Sequence, residues 1–405
     1  MNNLSSELSN ELFSGFQDPR LIEIFSRRVE HWHESDKIIC QEIRKDLLSL
    51  VAPYRGIEKI IVGRERETNW LKNVLDYEKG SINLIEGEIG SGKTLLLNLL
   101  RELALERNYV VTKIEVSKVR TIGSATKLYS YIINNISIPE KPALIGRLEL
   151  VFKKVFFRLY DSTCRELSNW SQQSTDPRTQ RRIEFIMKYK IHEFIMRKIG
   201  EFISEVEQID SKIAGDIAKD MKTVFDADIM GYDLSLRDFR LHEERGRTTD
   251  SVYAFNQLIK YAGYRGLLIL VDELEQDRSL DTYNTIYSLS NNYTNTGLKV
   301  AIAGTNDLIE DPTSGVRRLK RELWELLEKS RISINPLTFE DQKELCTKIM
   351  NVLRIAGTIR DIDDISITSK IDDFFNKKEF KRGFTVRDLI KNFIMFIEKE
   401  WKNEI

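Results

Sequence analysis

Residues 87–94 read Gly-Glu-Ile-Gly-Ser-Gly-Lys-Thr, a glycine-rich loop that ends in a lysine and a hydroxyl residue. The spacing G-x-x-x-x-G-K-T is that of a phosphate-binding P-loop. Glycines at these positions let backbone N–H groups converge on phosphate oxygens with no Cβ in the way. Lys93 is expected to reach the β- and γ-phosphates, and Thr94 to hold Mg2+ through its hydroxyl. The implied cofactors are ATP and Mg2+. Gly87, Glu88, Ile89, Gly90, Ser91, Gly92, Lys93, Thr94 and Leu95 form the expected nucleotide grip.

Other residues could complete that chemistry. Leu267-Leu268-Ile269-Leu270-Val271-Asp272-Glu273 is an apolar strand that ends in two acids. Beside a P-loop, Asp272 fits the acid that holds Mg2+, and Glu273 the base that orients and deprotonates an attacking water. Alone, two acids where a strand enters a polar loop would mean little. Glu275 follows closely and reads as a solvated charge. Thr305 and Asn306 close the run Leu298–Gly304, and either could touch the γ-phosphate and the water; a plain polar turn would use the same residues. Arg331, in Ser330-Arg331, could act in trans on a neighbour's γ-phosphate, and Arg317, Arg318 and Arg321 compete for that role. Arg387, in Gly383-Phe384-Thr385-Val386-Arg387, could reach back to the nucleotide. For any single arginine the ordinary alternative is a surface ion pair.

The elements that must hold these residues follow from apolar periodicity. Ser81–Glu86 and Tyr109–Val116 read as strands on either side of a leucine-rich helix, Leu95–Leu105. Gly266–Val271, Leu298–Gly304 and Arg331–Asn335 read as further strands. Short, nearly continuous apolar strands alternating with helices argue for a buried parallel sheet. Five spans result: an N-terminal helical segment (1–55), the first half of an ATPase core (56–138), a helical insertion (139–255), the second half of the core (256–335) and a helical lid (336–405). Within the first span, Leu21, Ile24, Phe25 and Val29 are spaced as one helix face, as are Ile39, Ile43, Leu47 and Leu48. In the insertion, Ser171–Thr179 reads as a loop.

Composition narrows the classes. The chain has 405 residues, 41% hydrophobic and 31% charged, with a formal charge of −1. That balance gives no overall basic footprint, so any nucleic-acid contact must rest on a local patch. The 3 cysteines, Cys40, Cys164 and Cys346, are odd in number and far apart in sequence, against a disulfide framework or zinc site and in favour of a cytoplasmic setting. No basic leader and no long apolar run are read, so neither a signal peptide nor a membrane span is expected. His31 and His33 are two apart and share no helix face, which argues against a metal pair. Arg178, Arg181, Arg182, Lys188, Lys190, Arg197 and Lys198, with Tyr189 and Phe194 interleaved, could follow a DNA backbone. Glu184 and Glu193 interrupt that run, and its apolar stripe fits a core or partner contact better.

Taken together these motifs resemble the AAA+ and STAND-like P-loop ATPases. Ile61-Val62-Gly63-Arg64-Glu65-Arg66-Glu67 is similar to the V-G-R-E-x-E segment of the Orc/Cdc6 and STAND branches, which implies that Val62, Gly63 and Arg64 lie against the adenine. The same resemblance makes Thr305/Asn306 sensor one, Arg387 sensor two and Arg331 the arginine finger. A closer resemblance is to the ATP-binding proteins of BREX-type phage-exclusion systems. It is carried by Gly87–Leu97, by Arg101–Arg107, by the run Tyr264–Glu275 (YRGLLILVDELE) and by Ala303-Gly304-Thr305. It implies an AAA+-like parallel sheet core with a large helical insertion and a C-terminal helical lid. It also implies an oligomeric ATPase that works in phage defence with other proteins of the system, on DNA. The alternatives are a replication-initiator- or transposition-type DNA-loading ATPase, and a scaffold that binds ATP without hydrolysing it.

Overall fold

The computed structural model describes residues 35–117, 122–123, 125–140, 148–190, 194, 197–198, 201, 219, 248–292, 296–359, 364–376 and 385–401. They divide into two compact units, one within 33–127 and 267–405, the other within 128–266. The apolar face at Leu21–Val29, the pair His31 and His33, Glu193, and Gly383-Phe384 lie outside the described residues.

The first unit opens with helices α1 (Asp36–Leu48) and α2 (Glu65–Asp76), then strand β1 (Ser81–Glu86), helix α3 (Lys93–Glu106) and strand β2 (Val110–Glu115). The second unit interrupts it with β3 (Ile136–Ser137), α4 (Leu148–Gln173), α5 (Pro177–Phe185) and α6 (Thr248–Tyr261). The chain then returns with β4 (Leu267–Asp272), α7 (Leu280–Asn292), β5 (Lys299–Gly304), α8 (Arg321–Lys329) and β6 (Arg331–Ser333). It ends in α9 (Phe339–Ile355), α10 (Asp364–Asn376) and α11 (Val386–Trp401).

In the first unit the strands lie side by side in the order β2-β4-β5-β1-β6. Every neighbouring pair among them is parallel. β4 and β5 are buried along all 6 of their residues. Cover on both faces is why, apart from Lys299 at the start of β5 and Asp272 at the end of β4, their sequences are continuously apolar rather than alternating. Consecutive strands β1 and β2 are not neighbours, so the link between them crosses the sheet. Leu96, Leu97, Leu100 and Ala104 of α3 accordingly share one core with Ile85, Ala301, Ala303, Leu268, Leu270 and Val111. That crossing makes α3 leucine-rich and fixes the P-loop at its N-terminus.

The C-terminal helices make a second core. Leu345, Ile349 and Leu353 of α9, Ile367 and Ile371 of α10, and Leu389, Phe393 and Ile397 of α11 meet Cys40, Ile43 and Leu47 of α1. α1, read in sequence as part of a separate N-terminal span, thus packs with the C-terminal helices. Thr338 and Asp341 cap α9 reciprocally: Thr338 N donates to Asp341 Oδ2 at 3.0 Å and Asp341 N to Thr338 Oγ1 at 3.1 Å.

In the second unit Tyr129 and Phe152 meet Phe255 edge-on, with ring centroids 6.5 and 6.3 Å away. The loop expected over Ser171–Thr179 is shorter than its polar sequence suggests. α4 continues through Gln173 and α5 begins at Pro177, with Asp176 accepting from Arg178 N and Thr179 N. Proline in the first turn and an aspartate N-cap start a helix as readily as they mark a loop.

Candidate functional site

Parallel strands carry their C-terminal ends to one edge of the sheet, and ligands of open α/β sheets bind outside that edge. Glu86 of β1 pairs in register with Gly304 of β5, and β4 ends beside β5 at Asp272. The P-loop, the end of β5 and the two acids therefore stand in a row, although Asp272 lies 179 positions after Lys93 (272 − 93).

The P-loop takes the backbone that its glycines permit. Gly90 and Gly92 have φ of 80° and 105°. A Cβ on Gly92 would meet nothing within 4 Å, so open space adjoins the loop there. Lys93 Nζ donates to the carbonyls of Gly87 (2.8 Å) and Glu88 (2.9 Å). Burial pushes its ammonium below the usual lysine range, opposed by Glu275, Asp272 and Glu88 and helped by Arg387. Ser91 Oγ is buried with no hydrogen-bond partner among the described residues.

A cavity of ≈ 330 Å³ opens from this loop. Its polar end is lined by Gly90, Ser91, Gly92, Lys93, Thr94, Asp272, Glu273, Glu275 and Arg387. Its other end is apolar, walled by Leu47, Leu50, Val51, Pro53, Ile60, Val62, Leu337, Leu345, Val386 and Ile390. Such a shape fits a ligand with a charged tail and a flat apolar head.

Asp272 is buried, and both its oxygens are engaged: Oδ1 accepts Glu273 N at 3.1 Å, and Oδ2 lies 3.3 Å from Lys113 Nζ. Glu273 has a left-handed backbone, φ 57°, which a non-glycine residue rarely adopts. Its carboxyl is raised by burial and then by Asp272, Glu275 and Glu115, with Arg387 opposing. A raised carboxylate is a better proton acceptor. The hydroxyl of Thr94 and the carboxylate of Asp272 are hard oxygen donors of the kind Mg2+ shares with phosphates. Among the described residues no cluster of three or more His, Cys, Asp or Glu side chains that could hold a metal occurs.

The remaining expected residues spread out. Gly87 and Glu88 belong to the loop but do not line the cavity; Leu95 does. Gly63 has φ 60°, and a Cβ there would stand 2.6 Å from the Asp341 carboxylate, so it packs on the start of α9 rather than on the cavity. Arg64 lines the cavity, but its guanidinium is spent on main-chain carbonyls, Asn335 O at 2.7 Å and Ser91 O at 3.3 Å. Of the implied adenine contacts, Val62 is the apolar one. Neither Thr305 nor Asn306 lines the cavity. Thr305 stands half-buried at the N-cap of the short helix Asn306–Glu310, and Asn306 is exposed. Arg387 lines the cavity, and its backbone N–H donates to Gly90 O at 3.3 Å, so the start of α11 rests on the P-loop. Arg331 is exposed on the edge strand β6, with Nη1 3.7 Å from Glu86 Oε2. Its competitors are engaged elsewhere: Arg317 lies over Trp324, Arg318 bonds Pro312 O and Arg321 pairs with Glu325.

Sequence reasoning missed three groups. Leu47–Pro53 walls the apolar end, although the N-terminal span offered no functional sign. Glu275 faces the cavity with Oε2 buried and unpartnered among the described residues. Lys113 stands beside Asp272; a lysine inside the strand run Val-Val-Thr-Lys-Ile was the available signal.

The family described as BREX system ATP-binding protein BrxC/D matches residues 37–226 and 244–404. The chain belongs to this family. Both the P-loop and the pair Asp272-Glu273 fall inside the matched segments. Among solved structures it is similar to the Walker-type ATPase of Pyrococcus abyssi, at 14% identity and a TM-score of 0.32, over 85% of this chain and 76% of that one. No curated protein matches it. Among the described residues no helix is long and apolar enough to cross a membrane.

Proposed function

We propose that this BrxC/D-family protein binds Mg2+–ATP in the cavity, hydrolyses it, and uses the nucleotide state to switch its contacts within a BREX defence system. The observation that supports this most is that Lys93, Thr94, Asp272 and Glu273 line one cavity whose far end is apolar. The backbone amides of Gly90–Thr94 and the Lys93 ammonium would grip the β- and γ-phosphates. Thr94 and Asp272 would hold the metal, which when bound neutralises charge on the phosphate oxygens. Glu273 would take a proton from water as the water oxygen bonds to the γ-phosphorus. The bond from that phosphorus to the β–γ bridging oxygen breaks, its electron pair leaving on ADP. Val62 and the Leu47–Pro53 wall would cover the base.

Arg387 lies where loss of the γ-phosphate would be felt at the start of α11, so the C-terminal helices are the moving part. Arg331, exposed on an edge strand, would serve a neighbouring copy in an oligomer. Arg178, Arg181 and Arg182, exposed on α5, are the surface offered to DNA. Arg197 and Lys198 are less available, being paired with Glu201 and Glu166. The action would take place in the cytoplasm with other proteins of the system.

Steady-state turnover tests the reading. Glu273→Gln is expected to lower kcat by about 100-fold or more while ATP still binds. Wild-type turnover no higher than that of Glu273→Gln would leave a nucleotide-binding scaffold and remove the hydrolase.

A further inference from the structure

Lys113 is a half-buried residue whose charged side chain is only 7% exposed, and the proposed chemistry does not use it. It sits in β2, in register with Leu270 of β4, two positions before the pair Glu115–Asp272. Val111, Lys113 and Glu115 alternate onto one sheet face. Val111, Leu268 and Leu270 share the α3 core, so that face lies under α3. The ammonium there meets three acceptors: Asn98 Oδ1 at 2.9 Å, Asp272 Oδ2 at 3.3 Å and Glu115 Oε1 at 3.5 Å. The first of these is a hydrogen bond and the other two are ion pairs, so the charge is held from three sides. Asn98 is fixed in turn. It is buried in α3, and its Nδ2 donates to Pro53 O at 2.8 Å and Ala52 O at 3.4 Å, in the strap that walls the apolar end.

An isolated carboxylate is costly to bury, and Asp272 faces a site meant for a tail of like charge. We infer that Lys113 is a resident counter-cation for Asp272, held in place by Asn98, that lets the cavity accept a nucleotide's phosphates even before a divalent ion is bound. Lys113 does not line the cavity and acts only through Asp272, so it is a positioning residue. The inference rests on the nucleotide-binding reading of the same site.

Lys113→Met removes the ammonium and keeps much of the stem. A fluorescent ATP analogue titrated against full-length protein, once with Mg2+ and once with EDTA, reads the effect. In EDTA the unpaired carboxylate repels the triphosphate, and affinity falls roughly tenfold at the effective dielectric of a partly buried site. With Mg2+ the metal replaces the lost charge, and affinity stays within about twofold of wild type. Adding Asp272→Asn to Lys113→Met restores the EDTA affinity, which lost packing alone would not allow. Equal losses in both conditions, or no loss in EDTA, overturn the counter-cation role while leaving nucleotide binding standing. Wild-type protein that binds the analogue in neither condition overturns the nucleotide reading, and this inference with it.

Discussion

The two ends of the cavity are built in opposite ways. The phosphate end comes from one continuous stretch, Gly90–Thr94, joined by acids from a strand two positions across the sheet. Its working parts are main-chain amides, one ammonium and carboxylates. The apolar end draws on the turn after α1, the approach to α2, the start of α9 and the first turns of α11. No group there is bound to one residue type, because an apolar wall needs only volume and shape. The contrast shows that the end with directional chemistry is compact in sequence, whereas the end with non-directional chemistry is dispersed. α3 joins them: its N-terminus carries the P-loop, and farther along Asn98, Arg101 and Glu102 hold the strap, with Arg101 3.8 Å above the Tyr54 ring.

The largest test of this contrast is Lys93→Ala. Loss of a charge-assisted grip on phosphate is expected to lower ATP affinity by about 100-fold. Isothermal titration with ATP, ADP and adenosine should show the loss for the phosphorylated ligands and little for adenosine. Equal loss for all three would mean that the phosphate end is not where phosphates bind.

Val51→Asp probes the other end. Val51 is exposed in the free protein and lines the apolar wall, so the change should not disturb the core. A carboxylate against the base is expected to weaken ATP, ADP and adenosine alike, by about fivefold. A loss that grows with the number of phosphates would place Val51 at the wrong end.

The smallest effect concerns the strap itself. Glu102 accepts Gly56 N at 2.5 Å and Ile57 N at 3.1 Å, and burial, opposed by those two bonds, raises its carboxyl to about 7 from an ordinary 4.5. The folded protein therefore binds this proton more tightly than the unfolded chain. Its stabilisation is complete below about pH 4.5 and is lost as pH rises through about 7. Melting temperatures of wild type minus Glu102→Gln should fall across that window. A difference that stays flat or rises with pH would show that Glu102 is not held as drawn.

The P-loop, the strand ending in Asp272-Glu273 and the helical C-terminal span were legible because each is local. Four glycine-or-lysine positions at fixed spacing, or an apolar run ending in acids, need no tertiary knowledge to be seen. Val62 was reached through resemblance alone. Arg64 was drawn to the base by that same resemblance, yet its guanidinium closes on two carbonyls that no spacing rule connects to it. Thr305 and Asn306 could not be separated in sequence. Standing at the end of β5, between the P-loop and Asp272 in the sheet order but off the cavity wall, they are not separated by the fold either. α1 carried an apolar face with no stated destination until the C-terminal helices supplied one.

By itself the sequence determined an α/β chain with a P-loop, an acid-tipped strand and membership of an ATP-binding class, since backbone conformation and charge type are properties of short segments. Only the tertiary structure decided that β5 stands between β1 and β4, that Leu47–Pro53 closes the cavity and that Lys113 meets Asp272. Those facts depend on which strands become neighbours and which helix crosses them. That outcome is set by burying the apolar faces of the whole unit at once, and no single segment contains it.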